Sequence, residues 1–156
     1  MLTKYNLYSS VVQSLTRFVE EARVELMPSA TLINWDGHAN VNELPEGDLI
    51  GLGGVGMSED EDRHYEVVFG ILASTWDDEN LYRLTNLISN LRGRLVPETR
   101  LGVFTLTPDG LQAVEKSWMV TALPLAVTPV QKAEVRAVQG VECRLLLDPG
   151  ATSSLR

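Results

Sequence analysis

The chain has 156 residues, 13 Lys+Arg against 21 Asp+Glu, and a formal net charge of −8. That length predicts one domain able to bury a core without staples, and 44% hydrophobic with 22% charged residues excludes a disordered chain. The acidic balance argues against a general nucleic-acid binder, which needs a basic face, but leaves DNA free to pass nearby.

The first element is a helix from Leu7 to Leu26, because Leu7, Val11, Leu15, Phe18, Ala22 and Leu26 recur at steps of three and four. Ser10 and Gln13 have capping-box spacing, with Asn6 an equal candidate cap, and Pro28 closes the segment. Ala30 to Trp35 reads as a short strand stopped by Asp36-Gly37, and His38 to Asp48 as a polar loop. Leu49 to Gly56 is apolar but rich in glycine, Met57 to Arg63 is charged, and His64 to Ser74 is a strong strand. Tyr65, Val67, Phe69, Ile71 and Ala73 share one face of that strand, with Val68 and Leu72 on the other. Apolar residues on both faces predict a central position in a sheet. Residues 49–74 therefore predict a long, protruding β-hairpin with an acidic tip.

A second helix follows, capped by Asp77 or Asp78, with Leu81, Leu84, Ile88, Leu91 and Leu95 as its apolar stripe. Arg92 and Arg94 suit its C-terminal end, and Pro97 stops it. Leu101 to Thr107 reads as a strand ending in the Pro108-Asp109-Gly110 turn. Trp118 to Val127 reads as another, with Pro124 marking an edge or a bulge. Thr128 to Gln139 is a loop or irregular extension, Val138 to Leu147 a last alternating strand, and residues 149–156 a flexible tail. The expected fold is α+β over a single domain, residues 1–156. It is a two-layer domain with a mainly antiparallel or mixed β-sheet, two helices packed on it, and the long hairpin.

The residues give little support to catalysis. The run Gly51-Leu52-Gly53-Gly54-Val55-Gly56 is not a Walker loop, because Met57-Ser58 stands where Lys-Ser/Thr is needed. It is not a dinucleotide fingerprint either, since no helix follows the last glycine. The alternative is a strand closely packed against a neighbouring backbone. Glu59-Asp60-Glu61-Asp62 lacks the alternating ligands and central glycine of a calcium loop, so a solvated tip or a surface for a basic partner is expected. His38 and His64 lack metal-ligand spacing. Cys143 alternates with Val141 and Leu145, as a buried small hydrophobe would, and its being the single cysteine excludes an internal disulfide. Trp35 and Trp76, at strand ends, fit closure of the core or of an interface, and Trp118 completes the set. No catalytic, cofactor or metal residue is nominated. No apolar run approaches the roughly 18 residues of a membrane span, and Met1–Asn6 has no apolar signal core, so neither insertion nor export is expected.

The order of elements resembles the tail terminator proteins of long-tailed bacteriophages. The resemblance runs from about Leu7 to Leu147. It is carried by the helix ending Glu20-Glu21-Ala22-Arg23, the strand Thr31-Leu32-Ile33-Asn34-Trp35, and the hairpin with its charged tip. The strand Tyr65–Ile71 leading into the capped helix at Asp77-Asp78-Glu79-Asn80-Leu81 completes it. The added length after Leu106 departs from the pattern. The resemblance implies a non-enzymatic virion protein at the tail–neck junction, assembled in the host cytoplasm. Its partners would be further copies in a hexameric ring, the tail tube protein, and the head-connector or neck protein. The ring would cap the tube, stop its growth and join tail to head, and DNA would pass the lumen without specific binding. Gly51, Gly53, Gly54, Gly56, Glu59, Asp60, Glu61, Asp62 and His64 are the expected contact residues. The alternatives are a related neck or tail-completion protein, a small α+β ligand-binding protein, or an adaptor that uses the acidic tip.

Overall fold

A computed structural model describes residues 7–38, 44–59, 65–95, 99–107 and 110–147, with the backbone alone over 99–107 and 110–125. The elements in order are α1 (Leu7–Leu26), β1 (Thr31–Asn34), β2 (Leu49–Glu59), β3 (Tyr65–Trp76), α2 (Tyr82–Arg94), β4 (Thr99–Thr107), β5 (Gly110–Val127), β6 (Gln131–Ala133) and β7 (Arg136–Leu147). They form one mixed sheet in the order β1-β2-β3-β7-β5-β4, with β6 pairing on β7. Only β1 with β2 is parallel; the other pairs are antiparallel. Both helices pack against this sheet, giving the expected α+β two-layer fold.

Helix α1 buries Leu7, Val11, Leu15, Val19 and Ala22 along one seam. Ser10 is not its cap. It lies a full turn inside the helix and is buried, and its carbonyl accepts the Ser14 hydroxyl at 2.6 Å; Asn6 lies outside the described residues. Arg23 fastens the exit of the helix. Its guanidinium grips both Glu20 oxygens at 2.6 and 2.7 Å and donates to the carbonyls of Pro28 and Ala30 at 2.9 and 3.0 Å.

The hairpin of β2 and β3 is in register from Leu49–Ser74 to Glu59–Tyr65. Its β3 arm is bonded to β7 from Glu66 to Trp76, so the arms do not protrude as expected: β3 lies inside the sheet, and β2, flanked by β1 only over Leu49–Leu52, forms its border beyond. One face of these strands is the core. Ile50 and Leu52 of β2, Val67, Phe69, Ile71 and Ala73 of β3, and Val141, Cys143, Leu145 and Leu147 of β7 are all buried beneath the helices.

Helix α2 buries Leu84, Leu87, Ile88 and Leu91. Of the two candidate caps, Asp78 does the work: its carboxylate accepts the Leu84 amide and the Thr75 hydroxyl, both at 3.0 Å. Asp77 and Leu81 take left-handed backbone angles to bring the chain round, a conformation with a real steric cost for leucine.

The C-terminal half differs from expectation in two places. Strand β5 begins at Gly110, not near Trp118, and pairs with β4 across a register jump from Val103–Trp118 to Phe104–Ala113. Val114-Glu115-Lys116-Ser117 fall in that jump, which is why alternation is lost there. Residues 128–139 hold β6 and the start of β7, joined by a two-residue turn in which Glu134 has φ +51°. Pro124 lies in a strand between two neighbours, and the register with β7 shifts between Pro124 and Ala126, so the proline marks a bulge.

Candidate functional site

Among the described residues no helix lies over the other face of the sheet. Because side chains alternate along a strand, Glu66, Val68, Gly70 and Leu72 of β3 and Gly140, Glu142, Arg144 and Leu146 of β7 fall on this face. Val68 and Leu146 are each 43% exposed, unusual for apolar residues in the middle of a sheet.

The glycines of β2 are explained by what lies against them. A Cβ on Gly51 would lie 1.8 Å from the carbonyl oxygen of Ile33, its partner on the neighbouring strand β1, so the two backbones approach closely at this point. A Cβ on Gly53 would lie 2.9 Å from Trp35 Cβ and 3.1 Å from Leu72 Cδ1. Just beyond β1, Trp35 turns onto the open face over Gly53, and its indole N–H donates to the Leu72 carbonyl at 3.0 Å. This is the closely packed strand expected from the sequence. It is also a close approach that only glycine permits.

Immediately after this close approach β2 bulges. Gly53 faces Gly70 but Gly56 faces Val68, so β2 carries one extra residue. Gly54 takes φ +62° in the bulge. The Asp36 carboxylate accepts the amides of Gly54 at 2.8 Å and Val55 at 3.4 Å, and Asn34 steadies Asp36 by accepting its amide at 3.1 Å. Sequence reading missed this role for Asp36. Its only local signal was a turn, and its partners lie 18 and 19 residues away.

Beside the bulge lies a shallow depression of about 460 Å³, lined among others by Gly53, Gly54, Val68, Gly70, Leu72 and Gly140. Three of these glycines leave room for Leu72 to lie flat: their virtual Cβ atoms come within 3.1–3.3 Å of its side chain. Thr128 brackets Gly140 with its amide and hydroxyl. Around this floor stand Glu142, exposed, and the pair Glu66–Arg144 at a loose 3.9 Å.

A second polar cluster sits at the end of the sheet. Arg136 is buried and donates to Ser74 Oγ at 2.9 Å, to Gly47 O at 3.2 Å and to Pro45 O, with its guanidinium 5.0 Å from the Trp76 ring centre. Burial pulls its pKa below the ordinary guanidinium value, and the charge of Asp48 opposes that. Asp48 accepts from the Trp76 amide at 2.8 Å and from Arg83 at 2.7 Å. The cluster ties the loop before β2 to β3, α2 and β7. A neighbouring cleft of about 300 Å³, between the end of α1 and α2, is lined by Met27, Asp48, Arg83, Asn86 and Asn90. Its two charged side chains are spent on each other, so it offers no converging free charges to a ligand.

The expected contact residues are thus divided. Gly51 lies against β1 and Gly53 beneath Trp35, Gly54 forms the bulge, Gly56 stands opposite Val68, and Glu59 ends β2 opposite Tyr65. Asp60, Glu61, Asp62 and His64 lie outside the described residues. Val68, Leu72, Gly140, Glu142 and Leu146 were not among them. The signal that could have found them was the second apolar face of β3, which sequence reading took only as a mark of centrality. His38 is exposed beyond the Trp35–Gly37 turn. Cys143 is buried with its thiol pushed up to about 12 by that burial, so it stays protonated and unreactive. Among the described residues no three His, Cys, Asp or Glu side chains group as a metal site, and no helix is long and apolar enough to cross a membrane.

No family model matches the sequence, and no curated protein does. The class defined by the fold and by this site is therefore a two-layer α+β domain with an open, partly apolar sheet face.

Proposed function

We propose that this chain is a ring-forming structural protein of the tail-terminator kind, which caps a phage tail tube and joins it to the neck. The observation that carries the reading is the open sheet face. Val68, Leu146 and a depression floored by Leu72 stand exposed on a surface over which no helix of the described residues lies. A surface of this kind is completed by protein. Subunits of a ring meet head-to-tail, so each needs two unlike patches, and a two-layer domain supplies them as a sheet face and a helix face. The net charge of −8 lets packaged DNA pass, since there are few cations to replace its counterions.

The reading is tested by light scattering and negative-stain imaging of the purified chain, alone and with the tail tube protein from the same source. Rings of a fixed subunit number, seated at tube ends, are expected. A monomer that stays monomeric with the tube protein present overturns the proposal. A ligand-binding role instead predicts a small-molecule shift in melting temperature without assembly.

A further inference from the structure

The open face has a counterpart on the same chain. Tyr82, at the start of α2, is 75% exposed, more than any other large apolar side chain among the described residues. Helix α2 carries three arginines and no acid in a chain of net charge −8. Arg83 is engaged by Asp48 and Arg94 by Glu25, but exposed Arg92 has no carboxylate partner among the described residues. Between Tyr82 and Arg92 the exposed positions are Arg83, which is turned to Asp48, and Thr85, Asn86, Ser89 and Asn90, which are short enough for the helix to lie close to a flat surface. The sheet face is the reverse: a hollow floored by Leu72 lying across glycines, with Glu142 and Glu66 beside it against a single Arg144.

The spacings agree as well as the charges. Ten residues of helix separate Tyr82 from Arg92, roughly 15 Å of rise. Four residues of β3 separate Gly70, at the floor of the hollow, from Glu66, roughly 13 Å of strand. A helix laid along β3 with its tyrosine in the hollow therefore brings Arg92 to Glu66.

We propose that the open sheet face of one copy receives α2 of a second copy, with Tyr82 seated in the depression on top of Leu72, beside Val68, and Arg92 paired with Glu66. The contact joins unlike patches, so each copy can be host on one side and guest on the other, and the array closes into a ring or runs on as a filament. The inference deepens the ring reading by naming its subunit contact. It rests on that reading only in requiring a second copy. Tyr82 is the anchor in energetic terms, since a buried aromatic in a pocket carries more of an interface than the polar residues around it.

Two chains of different mass, each with one added cysteine, Val68→Cys and Asn86→Cys, test the contact while keeping Tyr82. Both positions are exposed, so both variants are expected to fold. Native Cys143 is buried, and the wild-type chain measures its background. Treated with a short bis-maleimide, the mixture is expected to give the mixed-mass dimer at least tenfold above either variant alone. Crosslinking of Val68→Cys to itself would mean that two open faces stack on each other, and would overturn the proposal. Absence of the mixed product, whether the chain is multimeric or monomeric by light scattering, also overturns it. Rings without the crosslink sink this contact alone; crosslinked open filaments without rings sink the ring reading alone. As a second readout, Tyr82→Ser should raise the concentration at half-assembly at least tenfold while leaving the melting temperature of the monomer unchanged.

Discussion

Replacing Gly51 by alanine would place a methyl carbon 1.8 Å from the Ile33 carbonyl oxygen, 2.8 Å from the Ile33 carbonyl carbon and 3.2 Å from Trp35 Cδ1. Two of these are backbone atoms, which cannot rotate out of the way. Restoring ordinary contact moves β1 from β2 by roughly 1.5 Å. Hydrogen bonds near 2.9 Å stretched by that amount are lost. The affected set is the four-residue β1–β2 ladder, the Trp35 bond to Leu72 and the Asp36 bonds to the bulge. Overpacking alone costs about 1–3 kcal/mol, and partial loss of these bonds brings the total to about 2–4 kcal/mol. For a domain of this size that lowers the melting temperature by about 5–15 °C. The assay is urea or thermal unfolding followed by circular dichroism, with Gly37→Ala as control, because nothing lies within 4 Å of a Cβ at Gly37. If Gly51→Ala unfolds within about 0.5 kcal/mol of Gly37→Ala, the close approach of β1 to β2 at Gly51 is refuted.

Three further outcomes are expected. Arg136→Ala strands the carbonyls of Pro45 and Gly47 and the Ser74 hydroxyl, and should cost about 2–4 kcal/mol in urea unfolding; Arg136→Lys should recover only part of it, lacking the planar fork. Asp78→Ala removes the acceptor for the Leu84 amide at the start of α2, a loss of about 1 kcal/mol, whereas Asp77→Ala should leave the cap intact. The Glu20 carboxyl is held below its ordinary range, chiefly by the hydrogen bond from Arg23. Its contribution is therefore present above the unfolded-state carboxylate range and lost as pH falls through the lowered folded value. Glu20→Gln should flatten that part of the acid limb of a stability–pH curve, and an unchanged limb would show the pair to be inert.

The helices and the central hairpin were legible because each rests on a local period. The apolar steps of α1 fixed both of its ends, and the alternation of Tyr65–Ala73 marked its core face without ambiguity. The glycine run could be read as a strand closely packed against a neighbouring backbone, but the neighbour could not be named, since Ile33 and Trp35 reach it only through the fold. Strand β6 escaped notice because Gln131-Lys132-Ala133 is exposed and carries no alternation. The start of β5 was hidden by the register jump at Ala113–Trp118. The open face was legible in composition but not in meaning: Val68 and Leu72 were visibly apolar, while whether a layer covers them depends on both helices choosing the opposite side.

The carboxylate of Asp36 also governs how copies of this chain cannot meet. Where β1 ends, β2 would present bare backbone groups to any passing strand, the usual template for edge-to-edge sheet growth. At Gly54 and Val55 both amides are already occupied by Asp36, and the Val55 carbonyl accepts the Tyr8 hydroxyl at 3.4 Å. A foreign strand would have to displace a carboxylate and a phenol before it could bond there. The bulge thus acts as a stopper on this stretch of the sheet's border. It discourages sideways accretion of a foreign strand along this stretch.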